Sequence, residues 1–354
     1  PPYESPCNSK HKMIGDRMKF LITGGAGYIG STIASALIDA GHTPILLDNL
    51  AVGRAEFTRE RIFYKADIGD TAAVEQVFRD HPEIHATVHC AALIVVPEST
   101  AKPYEYYREN VSKSIEFFHT LNRLGQKRVL FSSSASLYDN VPGFMVTEES
   151  PLRPLSPYAR TKYMIEMILR AYGAAYGMHG IALRYFNPIG ADPRMRSGIH
   201  VERPSLVLGK LVDVALGNLP YFEVTGADYE TRDGTGVRDY IHVWDLAQAH
   251  RIAVTEFDQV FERAGNPPDN YLVINLGNGQ GVTVREIVRA FEKVYGKTIP
   301  QKDSPRRPGD VAGAYANADK AMRLLGWEPN LSIEQGIADA LKWGEVRKKL
   351  LGYK

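Results

Sequence analysis

Residues 19–30 read Lys19-Phe20-Leu21-Ile22-Thr23-Gly24-Gly25-Ala26-Gly27-Tyr28-Ile29-Gly30, and the order of residue types there decides the fold. A short apolar run of strand-forming residues enters a glycine cluster. Ser31-Thr32-Ile33-Ala34-Ser35-Ala36-Leu37-Ile38 then follows at helical spacing. Gly41 closes that helix, and Thr43-Pro44-Ile45-Leu46-Leu47 forms the next strand, ending at Asp48. Strand, glycine turn, helix, strand, acid is the unit that holds a dinucleotide. Gly25, Gly27 and Gly30 supply the tight turn, a close backbone approach to a pyrophosphate, and close packing of helix on sheet. Phosphates sit well at a helix N-terminus, where free amides and the helix dipole favour anions. Asp48 suits the adenosine ribose diol and repels a 2′-phosphate, so NAD is expected over NADP.

The alternation continues outward. A strand with its terminal loop over 61–68, where Asp67 can reach an adenine amine, leads to a helix over 71–80 and a strand over 86–90. A helix over 104–124 and a strand over 128–131 follow. Strands separated by helices imply a parallel sheet with right-handed crossovers, and ligands gather at the strands' carboxyl ends. The fold class expected is α/β: a Rossmann-type doubly wound parallel sheet with a smaller C-terminal α/β substrate lobe.

Two further stretches lie at that edge. Strand 128–131 ends in Ser132-Ser133-Ser134-Ala135-Ser136-Leu137-Tyr138, and Ser156-Pro157-Tyr158-Ala159-Arg160-Thr161-Lys162 opens a helix with a capping serine and a proline at the first helical position. Tyr158 and Lys162 stand four apart on one helix face. An ammonium beside a phenol favours the phenolate, so Lys162 is expected to lower the Tyr158 pKa and make it a usable base. Ser134 is then a candidate partner for the substrate oxygen that Tyr158 deprotonates. No Gly-x-Ser-x-Gly elbow is present, which disfavours a serine nucleophile.

Composition narrows the classes. The 354 residues are 44% apolar, enough for a sizeable core, and 42 basic against 41 acidic side chains leave +1. Such a balance does not point to nucleic acid. Two cysteines, Cys7 and Cys90, make neither a metal spacing nor a disulfide framework, so a reducing, cytoplasmic location is expected. No metal site is expected, the histidines showing no ligand clustering. No apolar run approaches the ~18 residues of a membrane span. The expected organisation is a loose tail over 1–17, an NAD-binding domain over 18–187, and a substrate-binding lobe over 188–354 with segments returning to the first domain.

Glycine turn, Asp48, serine cluster and Tyr158/Lys162, in this order, resemble the extended short-chain dehydrogenase/reductase family, over nearly the whole chain from Met18. Within it the chain resembles the UDP-glucose (UDP-galactose) 4-epimerases, through TGGAGYIG (23–30), LDNL (47–50), SPYARTK (156–162), RYFNPIGA (184–191), DGTGVRDYIHV (233–243) and RRPGDV (306–311). The resemblance implies NAD held by Gly24, Gly27, Tyr28, Ile29, Gly30, Asp48, Asn49, Asp67, Ile68, Ala91, Ala92, Asn110, Tyr158, Lys162 and Tyr185. It implies Ser134, Tyr158 and Lys162 as the catalytic set, and a homodimer. For the UDP-sugar it implies Asn187 at the diphosphate, Glu223 and Thr225 on an edge strand at the uracil, and Asp310 at the uridine ribose. Arg238 and Arg307 suit diphosphate clamps, since guanidinium forks match phosphate oxygens. Ala314 is implied at the wall of the sugar pocket, where a larger side chain would exclude an N-acetyl group.

The implied reaction is 4-epimerisation of a UDP-hexose through a transient 4-keto sugar. Departures fall at Ile94, where a cofactor-holding lysine is common, at Asp139, where glycine is usual, and at Ser205-Leu206 in place of two asparagines. The rivals are a nucleotide-sugar dehydratase or decarboxylase of the same fold, and a non-catalytic NAD sensor. Dehydratases use Asp-Glu after the position of Ser134, and Ala135-Ser136 stand there. A sensor has no need of Ser134, Tyr158 and Lys162 together.

Overall fold

In the computed structural model, residues 17–306 and 311–353 are described. The apolar run at 19–23 forms strand β1 (Lys19–Thr23), and helix α1 (Tyr28–Asp39) follows the glycine turn. The first half continues through β2 (Thr43–Asp48), β3 (Ile62–Lys65), α2 (Thr71–Asp80) and β4 (Ile84–His89). Next come α3 (Lys113–Arg123), β5 (Arg128–Ser132), α4 (Pro157–Tyr176) and β6 (His179–Tyr185). The chain returns much later for β7 (Tyr271–Leu276). These seven strands form one parallel sheet in the order β7-β6-β5-β4-β1-β2-β3. From β1 the chain winds outward to β2 and β3, then crosses to β4 and winds the other way. That reversal opens a crevice above the carboxyl ends of β1 and β4.

The sheet is buried on both faces, which is why its strands read as unbroken apolar runs. Alternation along β1 sends Phe20 and Ile22 to one core and Leu21 to the other. The first core holds Ile33 and Leu37 of α1 against Leu246 and Val254 of the helix Val243–Thr255. The second joins Val74 of α2, Phe117 of α3 and Ile165 of α4. A third core, with Leu211, Val224, Phe291 and Ile337, lies within the second half. There the helix Val284–Tyr295 starts at a reciprocal Thr283/Glu286 capping box. Helix α4 has the expected start: the Ser156 hydroxyl accepts from the Ala159 amide at 3.1 Å, Pro157 leads, and Gly177 ends it at φ +66°.

One element differs from expectation. The single helix over 104–124 is broken into Pro103–Tyr106, a π-helical stretch Tyr107–Ser112, and α3. The widened turn carries Asn110 inward, where it is fully buried. The strand and terminal loop expected over 61–68 are the strand Ile62–Lys65 and a loop in which Asp67 accepts from the Gly69 amide at 2.9 Å. Residues 188–236 hold the helix Val207–Ala215 and the strand Phe222–Thr225, which pairs in parallel with Gln301–Ser304. Among the described residues no helix is long and apolar enough to cross a membrane.

Candidate functional site

A cleft of about 220 Å³ runs along the carboxyl ends of β1, β2 and β4, lined by the glycine turn, Asp48 and Lys162. The glycines in its floor differ in what they must avoid. Gly24 has φ +67°, and a Cβ there would stand 2.7 Å from the Ala91 amide nitrogen. A Cβ on Gly30 would stand 2.3 Å from the Gly24 carbonyl oxygen. The protein's own packing therefore demands both. Gly27 is another matter, since a Cβ would meet only the Gly24 oxygen, at 3.2 Å. Its φ of −83° suits any residue, and it caps α1 with no side-chain hydrogen bond and no acid in the first turn. Nothing within the chain asks for glycine there, but a ligand approaching the helix amides does. From the same turn the Tyr28 hydroxyl donates to the Gly190 carbonyl at 2.7 Å, joining it to the second half.

Beyond the turn, the buried Asp48 carboxylate accepts from the amides of Ala26 (3.0 Å) and Leu50 (2.8 Å). Burial raises its pKa while those two amides oppose the rise. Asn49 donates to Asp67 at 2.9 Å, and Lys113 donates to the same oxygen at 2.7 Å. Burial alone would raise the Asp67 pKa; Lys113, the Gly69 amide and Asn49 together hold it below the ordinary value. The cleft is lined here by Ala66, Asp67 and Ile68, the wall expected at an adenine ring.

At the other end Cys90, Ala91, Ala92, Lys162 and Tyr185 line the cleft. The Ala91–Leu93 loop is held from behind by Asn110. Its amide accepts from the Leu93 N–H (2.8 Å) and donates to the Leu93 carbonyl (2.9 Å) and to the Thr161 hydroxyl (3.0 Å). Asn110 therefore acts on the cleft through this loop rather than from its wall. The Cys90 thiol lies 3.0 Å from the Ser132 hydroxyl, and burial pushes its pKa up to about 11, so it is inert.

The Tyr158 phenol is buried and hydrogen-bonded to the Ser134 hydroxyl, which in turn donates to Ser136 at 2.9 Å. The expectation that Lys162 lowers the Tyr158 pKa does not match this arrangement. Burial raises it, and the Ser134 hydrogen bond is what opposes the rise. The Lys162 ammonium is instead engaged with β5, donating to the Ser132 carbonyl at 2.7 Å over the Phe131 ring. Burial also draws the Lys162 pKa down to about 8, against the pull of Cys90 and Glu166.

Behind Ser134 lies a buried network that the sequence does not announce. Glu166, one turn beyond Lys162, accepts from Arg184 Nε (2.9 Å) and Nη2 (2.6 Å) and from the Ser133 hydroxyl (2.5 Å). Arg184 also donates to the Tyr138 hydroxyl at 3.1 Å, and Tyr138 donates to Asn275 at 2.7 Å. Both charged partners are 4% exposed. The pair pins α4 to β6 and to the serine loop, fixing Ser134 relative to Tyr158.

The residues assigned to the sugar nucleotide sit further out. The Asn187 amide donates to the Asp239 carbonyl at 3.0 Å, and Glu223 and Thr225 share one face of their strand. Glu223 is exposed beside a second cleft of about 530 Å³ that Lys210 and Tyr221 also line. The Arg238 guanidinium donates to the Val237 carbonyl at 2.8 Å. Ala314 packs against the buried group of Tyr138, Val146 and Phe186. Arg307 and Asp310 lie outside the described residues. Of the departures, Ile94 is 58% exposed at the cleft rim, Asp139 lies 3.8 Å from Arg153, and Leu206 lines the cofactor cleft. Several lining residues escaped the sequence reading, among them Val52, Gly53, Glu109, Lys113 and His200, none of which sits in a recognisable motif.

Comparison with known proteins gives the same picture. The model of the NAD dependent epimerase/dehydratase family matches residues 20–273. A UDP-glucose 4-epimerase of Bacillus subtilis is 42% identical over 336 residues, covering 92% of this chain and 96% of that protein. Two solved structures superpose closely. One is a UDP-glucose 4-epimerase from Stenotrophomonas maltophila with bound NAD and formylated UDP-arabinopyranose (TM-score 0.86, 37% identity, 94% and 99% of the two chains). The other is a UDP-glucose 4-epimerase from Bifidobacterium longum in complex with NAD+ and UDP (TM-score 0.85, 36% identity, 93% and 98%). The family match covers most of the chain and the relatives cover nearly all of it, so the chain belongs to the NAD dependent epimerase/dehydratase family.

Proposed function

We propose that this protein is a UDP-hexose 4-epimerase that interconverts UDP-glucose and UDP-galactose with tightly held NAD. The observation that carries the reading is the buried Ser134–Tyr158 hydrogen bond beside the Lys162 and Tyr185 end of a dinucleotide cleft. The glycine turn, Asp48 and Ala91-Ala92 hold the cofactor. Bound NAD would supply a hydride acceptor for the sugar carbon and, in its oxidised form, a positive charge that favours the phenolate.

Tyr158 removes the proton from the sugar 4-hydroxyl and later returns it to the same oxygen, after the 4-keto sugar has turned so that C4 is reduced from its other face. Ser134, already bonded to the phenol, orients the 4-oxygen. Burial makes a free phenolate costly, so Tyr158 transfers its proton within a hydrogen-bonded chain and with a cation nearby. Lys162, anchored on the Ser132 carbonyl, presents its charge to the nicotinamide ribose and the base of the site. Asn187, Arg238, Arg307 and Asp310 hold the diphosphate and uridine ribose, and the strand carrying Glu223 and Thr225 meets the uracil. Elimination in the manner of a dehydratase lacks its groups. Ala135 has no titratable atom, and the Ser136 hydroxyl and amide are both engaged with Ser134.

The family resemblance puts Ala314 at the wall of the sugar pocket, and a side chain no larger than a methyl there supports acceptance of UDP-GlcNAc and UDP-GalNAc as well. Ala314→Tyr then removes the N-acetyl activity and spares the plain hexoses. Apolar side chains on the outer sides of α3 and α4 support a homodimer, with Ile115, Met167 and Tyr176 each more than a third exposed. The test is purified protein with UDP-galactose and products resolved by chromatography. UDP-glucose forms, and absorbance at the NADH band does not grow with product. Stoichiometric NADH would instead identify a dehydrogenase.

A further inference from the structure

Lys113 brings a positive charge to the adenine end of the cofactor cleft, where the sequence pointed only to a carboxylate. Asp67 stands in the loop after β3, and Lys113 opens α3, 46 residues further on. Both line the cleft together with Asn49, Ala66 and Ile68. Their side chains are 30% and 21% exposed, so both stay open to a ligand.

The pair is held from several sides. Asp67 Oδ1 accepts from the Gly69 amide at 2.9 Å, and Oδ2 accepts from Asn49 at 2.9 Å and from the Lys113 ammonium at 2.7 Å. The ammonium also donates to Glu109, four residues earlier. Its stem lies along Gly69, where a Cβ would stand 3.2 Å from Lys113 Cγ. A carboxylate accepts about four hydrogen bonds and an ammonium donates three. Among the described residues the chain takes three of the first and two of the second. One acceptor position and one N–H therefore stand side by side at the cleft wall.

We propose that Lys113 is a base-reading residue of the cofactor site, and that with Asp67 it lets the site take a dinucleotide whose purine carries either an amino group or a carbonyl at position 6. Asp67 accepts from a base amine. Lys113 donates to a base carbonyl, which a lone carboxylate would repel. With both groups in the wall, neither substituent is left facing only its own polarity. The inference rests on the NAD reading above and says which bases that site accepts.

The test sets nicotinamide hypoxanthine dinucleotide, whose base has a carbonyl where adenine has its amine, against NAD in competition for the purified protein. Bound nucleotides are resolved by chromatography after equilibration, which gives the ratio of the two Kd values in each variant. A general weakening of the cleft cancels from that ratio, whereas a change in the polarity of the wall does not. Wild type should prefer NAD by less than tenfold. Lys113→Met keeps a stem along Gly69 and removes the charge. It should raise the preference about 10- to 100-fold, the range for losing a hydrogen bond to a charged group. A wild-type preference of tenfold or more, or a ratio that Lys113→Met leaves unchanged, overturns the inference and leaves Lys113 a structural partner of Asp67. Should Lys113→Met fail to fold, Asp67→Asn decides. The carboxylate is then gone while Glu109 still holds the ammonium, so the preference moves toward the hypoxanthine dinucleotide, and an unmoved ratio overturns the inference. A wild type that holds neither dinucleotide overturns the NAD reading, and this inference with it.

Discussion

Replacing Gly27 and Gly30 by alanine, one at a time, separates what the fold needs from what the cofactor needs. At Gly30 the new methyl would stand 2.3 Å from the Gly24 carbonyl oxygen and 3.0 Å from Gly25 Cα, both backbone atoms in a turn held between β1 and β4. Neither can step aside without moving the turn, so Gly30→Ala should cost about 3 kcal/mol or more of stability. At Gly27 the nearest atom is a single oxygen at 3.2 Å, which needs to give by only a few tenths of an ångström. The backbone is already extended at φ −83°, open to alanine. Losing a glycine cap costs a few tenths to about 1 kcal/mol, and stiffening the unfolded chain returns about as much, so net stability should stay within roughly 1 kcal/mol. The methyl then projects where the pyrophosphate approaches the α1 amides. Overpacking there costs about 1–3 kcal/mol, a loss of roughly 5- to 150-fold in NAD affinity. Urea unfolding without cofactor and calorimetric NAD titration read the two quantities separately. Gly27→Ala with wild-type NAD affinity, or as unstable as Gly30→Ala, would refute the reasoning.

Three further outcomes follow from the same geometry. Glu166→Ala strands the buried Arg184 guanidinium and should cost about 3–5 kcal/mol by urea unfolding, while Glu166→Met with Arg184→Met recovers much of it; a single-variant loss under 1 kcal/mol would mean the pair is not buried as described. Tyr158→Phe should lower turnover by about 10²–10⁴-fold with a smaller change in UDP-sugar affinity, and near-normal turnover in the folded variant removes Tyr158 from the chemistry. Asp239 is buried and accepts from the amides of Asn278, Gly279 and Ala316, and burial lifts its pKa to about 6 against those three. A raised acid binds more protons folded than unfolded, so its contribution is full below about pH 4 and lost as pH rises through about 6. Stability of wild type relative to Asp239→Asn should therefore fall between pH 4 and 6 and stay level above, and a difference that does not vary with pH sinks the assignment.

Local chemistry explains which parts were legible in the sequence. The first half was readable because its central strands are buried on both faces and its turns are punctuated by glycine, proline or serine, so pattern and structure share a period. The helix over 104–124 was readable only in outline. Nothing in the sequence of Tyr107–Ser112 marks a π turn, whose cause is the inward pull of Asn110 on Leu93 and Thr161, contacts made with distant residues. Tyr158 and Lys162 share a helix face as their spacing requires. Yet spacing could not tell that the lysine would bond a strand carbonyl instead of sitting beside the phenol. Arg184 and Glu166 lie 18 residues apart on different elements and meet only because α4 packs beside β6. His200 carried no signal at all, since it reaches the cleft only by packing beside residues that follow β2, far earlier in the chain.

The central claim is that oxidation and reduction occur at the sugar C4 within a single closed cycle. UDP-galactose carrying deuterium at C4, turned over by the purified protein in ordinary water, tests it most directly. The account predicts UDP-glucose that keeps its deuterium at C4, with no net NADH. Loss of the label to water, or a product that has shed water from the sugar, would contradict it.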